Sequence, residues 1–263
     1  MTPPPTHNAS KSGFTLIELS IVLVIIGLIA GGILVGQDMI KGAEIRSTVK
    51  QIEQINAAMN TFRDKYRFLP GDITGTAATR FGFVTRAGTT GHGDGNSYIE
   101  GGAAAATAVN SETALVWRDL NFIGLLDGSF TVATDAAAVA TTPDVVKTFL
   151  PEAKLGRGNL ITVYTAQGSN FYQIAGVTAL SAAGVPTLAA ALTPQEAFNI
   201  DQKLDDGKPM TGSSRAMTTA TTLNLAPAAA DACVAAVLPA SNYNSTTEAL
   251  ANTVACSLRI RTN

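Results

Sequence analysis

A run from Leu19 to Gly36 without a single Asp, Glu, Lys or Arg constrains this chain more than any other feature. In helical form, at 1.5 Å per residue, it approaches the roughly 30 Å of hydrocarbon in a bilayer. A buried helix of a soluble domain does not need that length. Directly before the run stands one carboxylate, Glu18. An acid centred in a bilayer helix costs about 2.5–3.5 kcal/mol even on lenient insertion scales. Placed at the start of the run, Glu18 calls for a specific partner, such as an α-amino group created by cleavage about one turn upstream, rather than a catalytic role. The preceding residues carry Lys11 and no acid. Positive charge on that flank holds the N-terminal end in the cytoplasm and sends the bulk of the chain across. A cleaved secretory signal peptide fits the length, but a carboxylate within its apolar stretch is unusual, and no clean A-x-A site follows. A plain membrane anchor on an enzyme is the other simple reading.

The segment Lys11-Ser12-Gly13-Phe14-Thr15-Leu16-Ile17-Glu18 resembles the processing site of type IV pilin-like precursors. In these a short polar leader ends in Gly, Phe follows, and Glu is the fifth residue of the mature chain. The resemblance implies cleavage after Gly13 by a prepilin peptidase on the cytoplasmic side and N-methylation of Phe14. It also implies an inner-membrane platform protein and an assembly ATPase as partners. In a helical filament the apolar helices would sit at the centre, with Glu18 paired to the Phe14 ammonium of a neighbouring subunit. That pair would set axial register, because a mis-registered subunit leaves a buried charge unpaired. The later pieces Leu69-Pro70-Gly71-Asp72, Gly93-Asp94-Gly95-Asn96, the Trp117 helix ending in Gly124-Leu125-Leu126, and Ile200 to Gly207 are similar to larger bacterial pilin-like proteins.

Beyond the apolar run, Ile45, Val49, Ile52, Ile55, Met59, Phe62, Tyr66 and Leu69 recur at spacings of three and four, one stripe on a helix. Glu44, Arg46, Lys50, Glu53, Arg63 and Asp64 lie opposite. Pro70 disfavours helical geometry at Leu69 and ends the element. One helix from about Thr15 to Phe68 would be roughly 80 Å long. Gly27/Gly31 and Gly32/Gly36 form small-xxx-small pairs inside it, read equally as close helix approach or as the ordinary tolerance of Gly in membrane helices. The expected organisation is a leader at 1–13, a transmembrane or filament-core half-helix at 14–36, an amphipathic half-helix at 37–69, and a globular head at 70–263. The expected fold class is α+β, with the long N-terminal helix packed on a head that holds an antiparallel β-sheet.

Within the head, residues 72–110 read as loop with short pieces, and Ser111 caps a helix reaching about Leu126, with Leu115, Phe122 and Leu126 as core contacts. Leu160 to Tyr164 and Phe171 to Ala175 are β-type runs joined by Ala166-Gln167-Gly168-Ser169, a hairpin turn. Thr193-Pro194-Gln195-Glu196 is a capping box with Pro at the first helical position, so a helix starts there and stops at Asp205-Asp206-Gly207. Ser257 to Arg261 alternates as a terminal strand. Cys233 and Cys256 are the only cysteines. An even count in an exported chain favours a disulfide over two buried thiols, restricting the unfolded chain by roughly 3 kcal/mol in the loop-entropy model. Many pilins close a C-terminal loop in this way.

Net charge is −2 with pI ≈ 5.7, which gives no general attraction to nucleic acid. The basic residues Arg80, Arg86, Arg118, Lys154 and Arg157 are scattered, with no stripe for a specific nucleic-acid partner. His7 falls in the leader and His92 stands alone in a Gly-rich loop, so no Ser-His-Asp set is available. No G-x-S-x-G or Walker pattern appears, and no enzyme is expected. Asn244-Ser245-Thr246 is a formal glycosylation sequon read as plain loop. Asp201, Asp205 and Asp206 cluster at a helix end. Hard cations want clustered oxygens, and some pseudopilins bind calcium in an acidic loop, but this spacing matches no known calcium loop. The three acids, like Asp94-Gly95-Asn96, read first as stop and turn. No cofactor is expected, with calcium the one candidate.

The expected function is therefore a structural subunit of a type IV pilus or related filament, made in the bacterial inner membrane and moved to a periplasmic or surface filament. A pseudopilin of a type II secretion system is the first alternative. A membrane-tethered adhesin or enzyme that never polymerises is the second.

Overall fold

A computed structural model of the chain describes residues 15–84, 86, 93–101, 108–130, 139–217, 232–235, 242–245 and 247–262. The leader, Gly13 and Phe14, both histidines and Thr246 lie outside these residues. Helix α1 runs over Leu16–Tyr66. It stops just before Arg67, which takes a left-handed φ of 67°, and before the Leu69-Pro70 pair that cannot continue a helix. The chain divides into two compact units, Met1–Ala43 and Glu44–Asn263.

In the first unit every described residue after Thr15 is helical, and the apolar side chains from Leu16 to Ile40 are exposed, Leu16 at 86% and Leu28 at 73%. This is the one helix among the described residues long and apolar enough to cross a membrane.

The second unit is built on the stripe of α1. Ile45, Val49, Ile52, Ile55, Met59 and Phe62 are buried, and Arg46, Lys50, Glu53, Arg63 and Asp64 face out. Gln51 ties the helix to the segment before the sheet. Its Nε2 donates to the Glu152 carbonyl at 2.9 Å, and its Oε1 accepts the Lys154 N–H at 2.8 Å. Between α1 and the sheet the described residues form α2 (Gly75–Phe81), α3 (Ser111–Phe122) and α4 (Pro143–Val146). Strands β1 (Asn159–Ala166) and β2 (Ser169–Leu180) form the hairpin, followed by β3 (Pro186–Ala189), α5 (Pro194–Leu204), β4 (Ser214–Met217), α6 (Glu248–Ala251) and β5 (Ser257–Arg261). The sheet is antiparallel throughout, in the order β1-β2-β5-β4 with β3 also paired to β2. Register aligns Ile161, Ile174 and Leu258 in one row and Val163, Tyr172 and Ile260 in the next, and all six belong to the hydrophobic core shared with α1.

The β1–β2 hairpin closes through Gln167 and Gly168, both at positive φ, the arrangement whose twist suits a two-residue turn. Thr193 Oγ1 accepts the Glu196 N–H at 3.2 Å and Glu196 Oε2 accepts the Thr193 N–H at 3.0 Å, so the capping box starts α5 as its sequence pattern requires. Cys233 and Cys256 form a disulfide with a Cα–Cα distance of 5.1 Å, which closes the chain directly before β5.

Three local expectations need correction. The cap of α3 is Asn110, and Ser111 is already the first helical residue. The helix ends at Phe122 rather than near Leu126, and Phe122 is 59% exposed rather than a core contact. Its ring lies on Phe83 at 5.3 Å, at the margin of the core. Residues 75–81 form α2, one of the short pieces within the loop-rich stretch 72–110, started by the Thr74 side chain and stopped by Gly82 at φ 77°.

Candidate assembly site

The first turn of α1 is held by Thr15 and Glu18. Glu18 Oε2 accepts the Thr15 backbone N–H at 2.8 Å and the Thr15 hydroxyl at 2.7 Å, and the Glu18 N–H donates to Thr15 Oγ1 at 3.3 Å. This reciprocal pattern is a capping box. It satisfies N–H groups that have no partner within the helix and sets a negative charge at the positive end of the helix dipole. The carboxylate is thereby folded back over the first turn, onto Thr15.

Along the same helix, a Cβ added at Gly27, Gly31, Gly32, Gly36 or Gly42 would meet no atom within 4 Å. Each glycine costs roughly 1 kcal/mol relative to Ala in a helix interior. Among the described residues, no close approach requires any of the five.

In the second unit, two acids hang a loop from α3 and from the end of the Leu69–Asp72 turn. Asp72 accepts the Gly95 and Ser97 N–H groups, both at 2.7 Å. Glu112 accepts those of Gly93 at 2.6 Å and Glu100 at 2.8 Å. One oxygen each of Asp72, Asp94 and Glu112 lies within 4.8 Å of the others, but all four oxygens of Asp72 and Glu112 already have donors. Burial pushes Glu112 up to about 8 and Asp72 up to about 6, with repulsion among the three acids adding to it and the backbone donors opposing it. A carboxyl raised in the folded state retains a proton that the unfolded chain releases near its ordinary value. Its stabilisation is therefore complete at low pH and lost as pH climbs through the folded value. Asp119 and Asp201, raised to about 6 and about 7, mainly by burial, act with the same sign. Unfolding free energy should therefore fall as pH rises from roughly 5 to 9. Glu112→Gln should flatten that slope. Stability that rises over this range in denaturant titrations would contradict the assignment.

Asp119, on α3, pairs with Arg86 at 2.5 Å, each side chain 1% exposed, and the same oxygen, Oδ2, accepts the Gly71 N–H at 2.7 Å. Asp201, Asp205 and Asp206 stand together at the C-terminal end of α5, as the sequence places them.

A family model for the prokaryotic N-terminal methylation motif matches residues 8–34. This is the processing signature of type IV pilins and pseudopilins. No curated protein and no solved structure matches the chain. The methylation motif covers Gly13, Phe14 and Glu18, and the structure places Glu18 on the first turn of an exposed apolar helix. It adds one residue that reading Glu18 only as an intermolecular partner leaves out: Thr15, whose hydroxyl and N–H hold the carboxylate. The signal was present, since Thr15-Leu16-Ile17-Glu18 has the same Ser/Thr-x-x-Glu pattern as Thr193 to Glu196.

Proposed function

We propose that this chain is a structural, non-enzymatic subunit of a type IV pilus or a related filament, polymerising through its N-terminal helix after cleavage between Gly13 and Phe14. One observation carries the proposal: the methylation motif runs into a helix whose apolar side chains from Leu16 to Ile40 are exposed and whose first turn holds a single carboxylate. Exposed apolar surface on this scale is not sustained in water. A bilayer covers it before assembly, and the helices of neighbouring subunits cover it after. The five glycines then have a use, since small residues let helix backbones from different subunits approach closely. Glu18 meets the Phe14 amine of a neighbour, and a wrong register leaves both charges unpaired in an apolar surrounding. On this reading a prepilin peptidase processes the chain, and an inner-membrane platform protein with its ATPase extracts it. The second unit ends outside the cytoplasm, on a periplasmic or surface filament.

The test is mass spectrometry of the N-terminus in membrane and sheared-filament fractions of the native host. The expected species starts at N-methyl-Phe14 and is found in both fractions. A start beyond the apolar run would mean signal-peptide cleavage, and an intact Met1 would mean a tethered domain. Either result ends the filament reading.

A further inference from the structure

We propose that Arg215 and Arg259, side by side on the sheet face opposite Ile161, Ile174 and Leu258, bind a phosphate group, either the free ion or a phosphate ester. The two arginines are register partners on β4 and β5. Antiparallel partners have Cβ atoms about 4.5–5.5 Å apart, and like charges placed opposite each other are destabilising. Register carries the same row on to Gln173 of β2 and Thr162 of β1. Side chains alternate along a strand, so these four share one face while Ile161, Ile174 and Leu258 point to the other.

Two other arginines of the head each have an acid: Arg86 pairs with Asp119 and Arg157 with Glu196. Among the described residues neither Arg215 nor Arg259 forms an ion pair, although Arg259 is only 5% exposed. The Arg259 guanidinium lies 4.9 Å from the centre of the Phe171 ring and interacts with the Tyr164 hydroxyl. Arg215 Nε donates to the Gly212 carbonyl at 3.1 Å. None of these contacts brings a negative charge. Burial pulls Arg259 down from its ordinary value, and the Arg215 charge adds to the pull. An arginine stays charged even so, and a buried charge without a counter-charge is costly. A second observation is independent of charge. Gln173 is fully buried with no hydrogen-bond partner on Oε1 or Nε2, and Thr162 Oγ1, beside it in the row, has none either. Native structures rarely leave buried polar atoms so. Water would satisfy Gln173 and Thr162 but would leave the two cations unbalanced.

The donor set selects the class of ligand. A guanidinium fork matches the oxygens of carboxylate and phosphate alike. Two forks side by side carry two positive charges, and a phosphate monoester brings about −1.5 to −2 at pH 7, against one for a carboxylate. Gln173 Nε2 and the Thr162 hydroxyl offer further donors along the row. Strand β4 ends the sheet and Arg215 is half-buried, so the row is approached from that side.

The full-length chain in detergent is titrated with inorganic phosphate, glycerol phosphate and acetate, each against sodium chloride of equal ionic strength. Binding is read by isothermal calorimetry, and stability by the unfolding midpoint from Trp117 fluorescence. The expected result is one phosphate per chain, half-saturated at about 1 mM or below, as two or three charge-assisted hydrogen bonds allow, with a raised midpoint. Acetate, with one charge, should bind at least about tenfold more weakly. Glycerol phosphate binding as inorganic phosphate does assigns the site to esters, and its exclusion assigns the site to the free ion; both support the proposal. Arg215→Gln should weaken phosphate binding by about tenfold or more, the loss of one charge-assisted contact. In chloride its midpoint should equal or exceed that of the parent chain, because a like charge has been removed. An Arg215 with a purely structural role would instead lower the midpoint equally in both salts. Phosphate also stabilises proteins by exclusion from their surface, but that acts on parent and variant alike. No saturation up to about 20 mM phosphate, well beyond millimolar affinity, would overturn the proposal. So would acetate bound as tightly as phosphate, or Arg215→Gln binding as the parent does. The outcome is independent of the filament reading, since a tethered monomer would bind phosphate equally well.

Discussion

Glu18→Ala should leave the chain processed and in the membrane while lowering the amount recovered in sheared filaments by about 10²–10³-fold, the effect of leaving one charge of a buried pair uncompensated. Two further variants divide the two jobs that meet on this side chain. Thr15→Ala removes the hydroxyl of the capping box but keeps the carboxylate. It should cost about 1 kcal/mol, roughly a fivefold loss. Glu18→Gln keeps an acceptor for the Thr15 N–H but removes the charge, so it should fall close to Ala if ion pairing governs assembly. The readout is the ratio of subunit in the sheared and membrane fractions, with filaments counted by electron microscopy. If Glu18→Gln assembles as well as the parent chain while Thr15→Ala does not, the carboxylate matters only as a cap, and pairing with the Phe14 amine is wrong.

The parts of the fold that could be read in the sequence are those whose signal is local. The three-and-four spacing from Ile45 to Phe62 gives the buried face of α1 because a helix converts spacing directly into direction. Thr193-Pro194-Gln195-Glu196 gives the start of α5, and Gln167-Gly168 gives the hairpin, because caps and turns are satisfied within a few residues. Helix α2 is too short for periodicity to register. Strand β4 has no alternation of its own and exists through backbone pairing with β5, which only the tertiary fold can bring beside it. The same limit applies to the site. Glu18 and the methylation motif stand out at once, since an acid against an apolar run is conspicuous in a linear chain. That Asp72, Glu112 and Asp119 are buried is not legible, because their donors come from far along the chain: Gly93 to Glu112 across 19 positions, Arg86 to Asp119 across 33, and Gly71 to Asp119 across 48. In Asp201-Gln202-Lys203-Leu204-Asp205-Asp206-Gly207 the turn function is visible. The burial of Asp201 is not, because its donor, the Tyr243 hydroxyl, comes from 42 positions along the chain.

The largest stability effect expected in the head lies at Asp119. This carboxylate is the acceptor for both the Arg86 guanidinium and the Gly71 N–H, and its second oxygen and Arg86 Nε are without hydrogen-bond partners. Burial pushes its carboxyl up to about 6 against the pull of Arg86. At neutral pH it is therefore ionised, but with little to spare. The pair is a fastening held at considerable desolvation cost, and removing one half is worse than removing both. Asp119→Ala strands a guanidinium in the core and should destabilise the head by about 3–5 kcal/mol. For a unit of this size that lowers the unfolding midpoint by roughly 10 °C. Trp117 is the sole tryptophan, fully buried and two residues from Asp119 on the same helix, so its fluorescence reports the transition directly. Asp119→Asn should fall between the two, since the amide oxygen still accepts from Gly71. Replacing both partners, Asp119→Leu with Arg86→Met, should recover most of the loss, because no charge is then left in an apolar surround. Added salt should change little, as the pair is shielded from solvent ions. A cost below about 1 kcal/mol for Asp119→Ala, the range of exposed pairs, would mean that Arg86 finds water when its partner is removed and that this part of the core is looser than its burial implies.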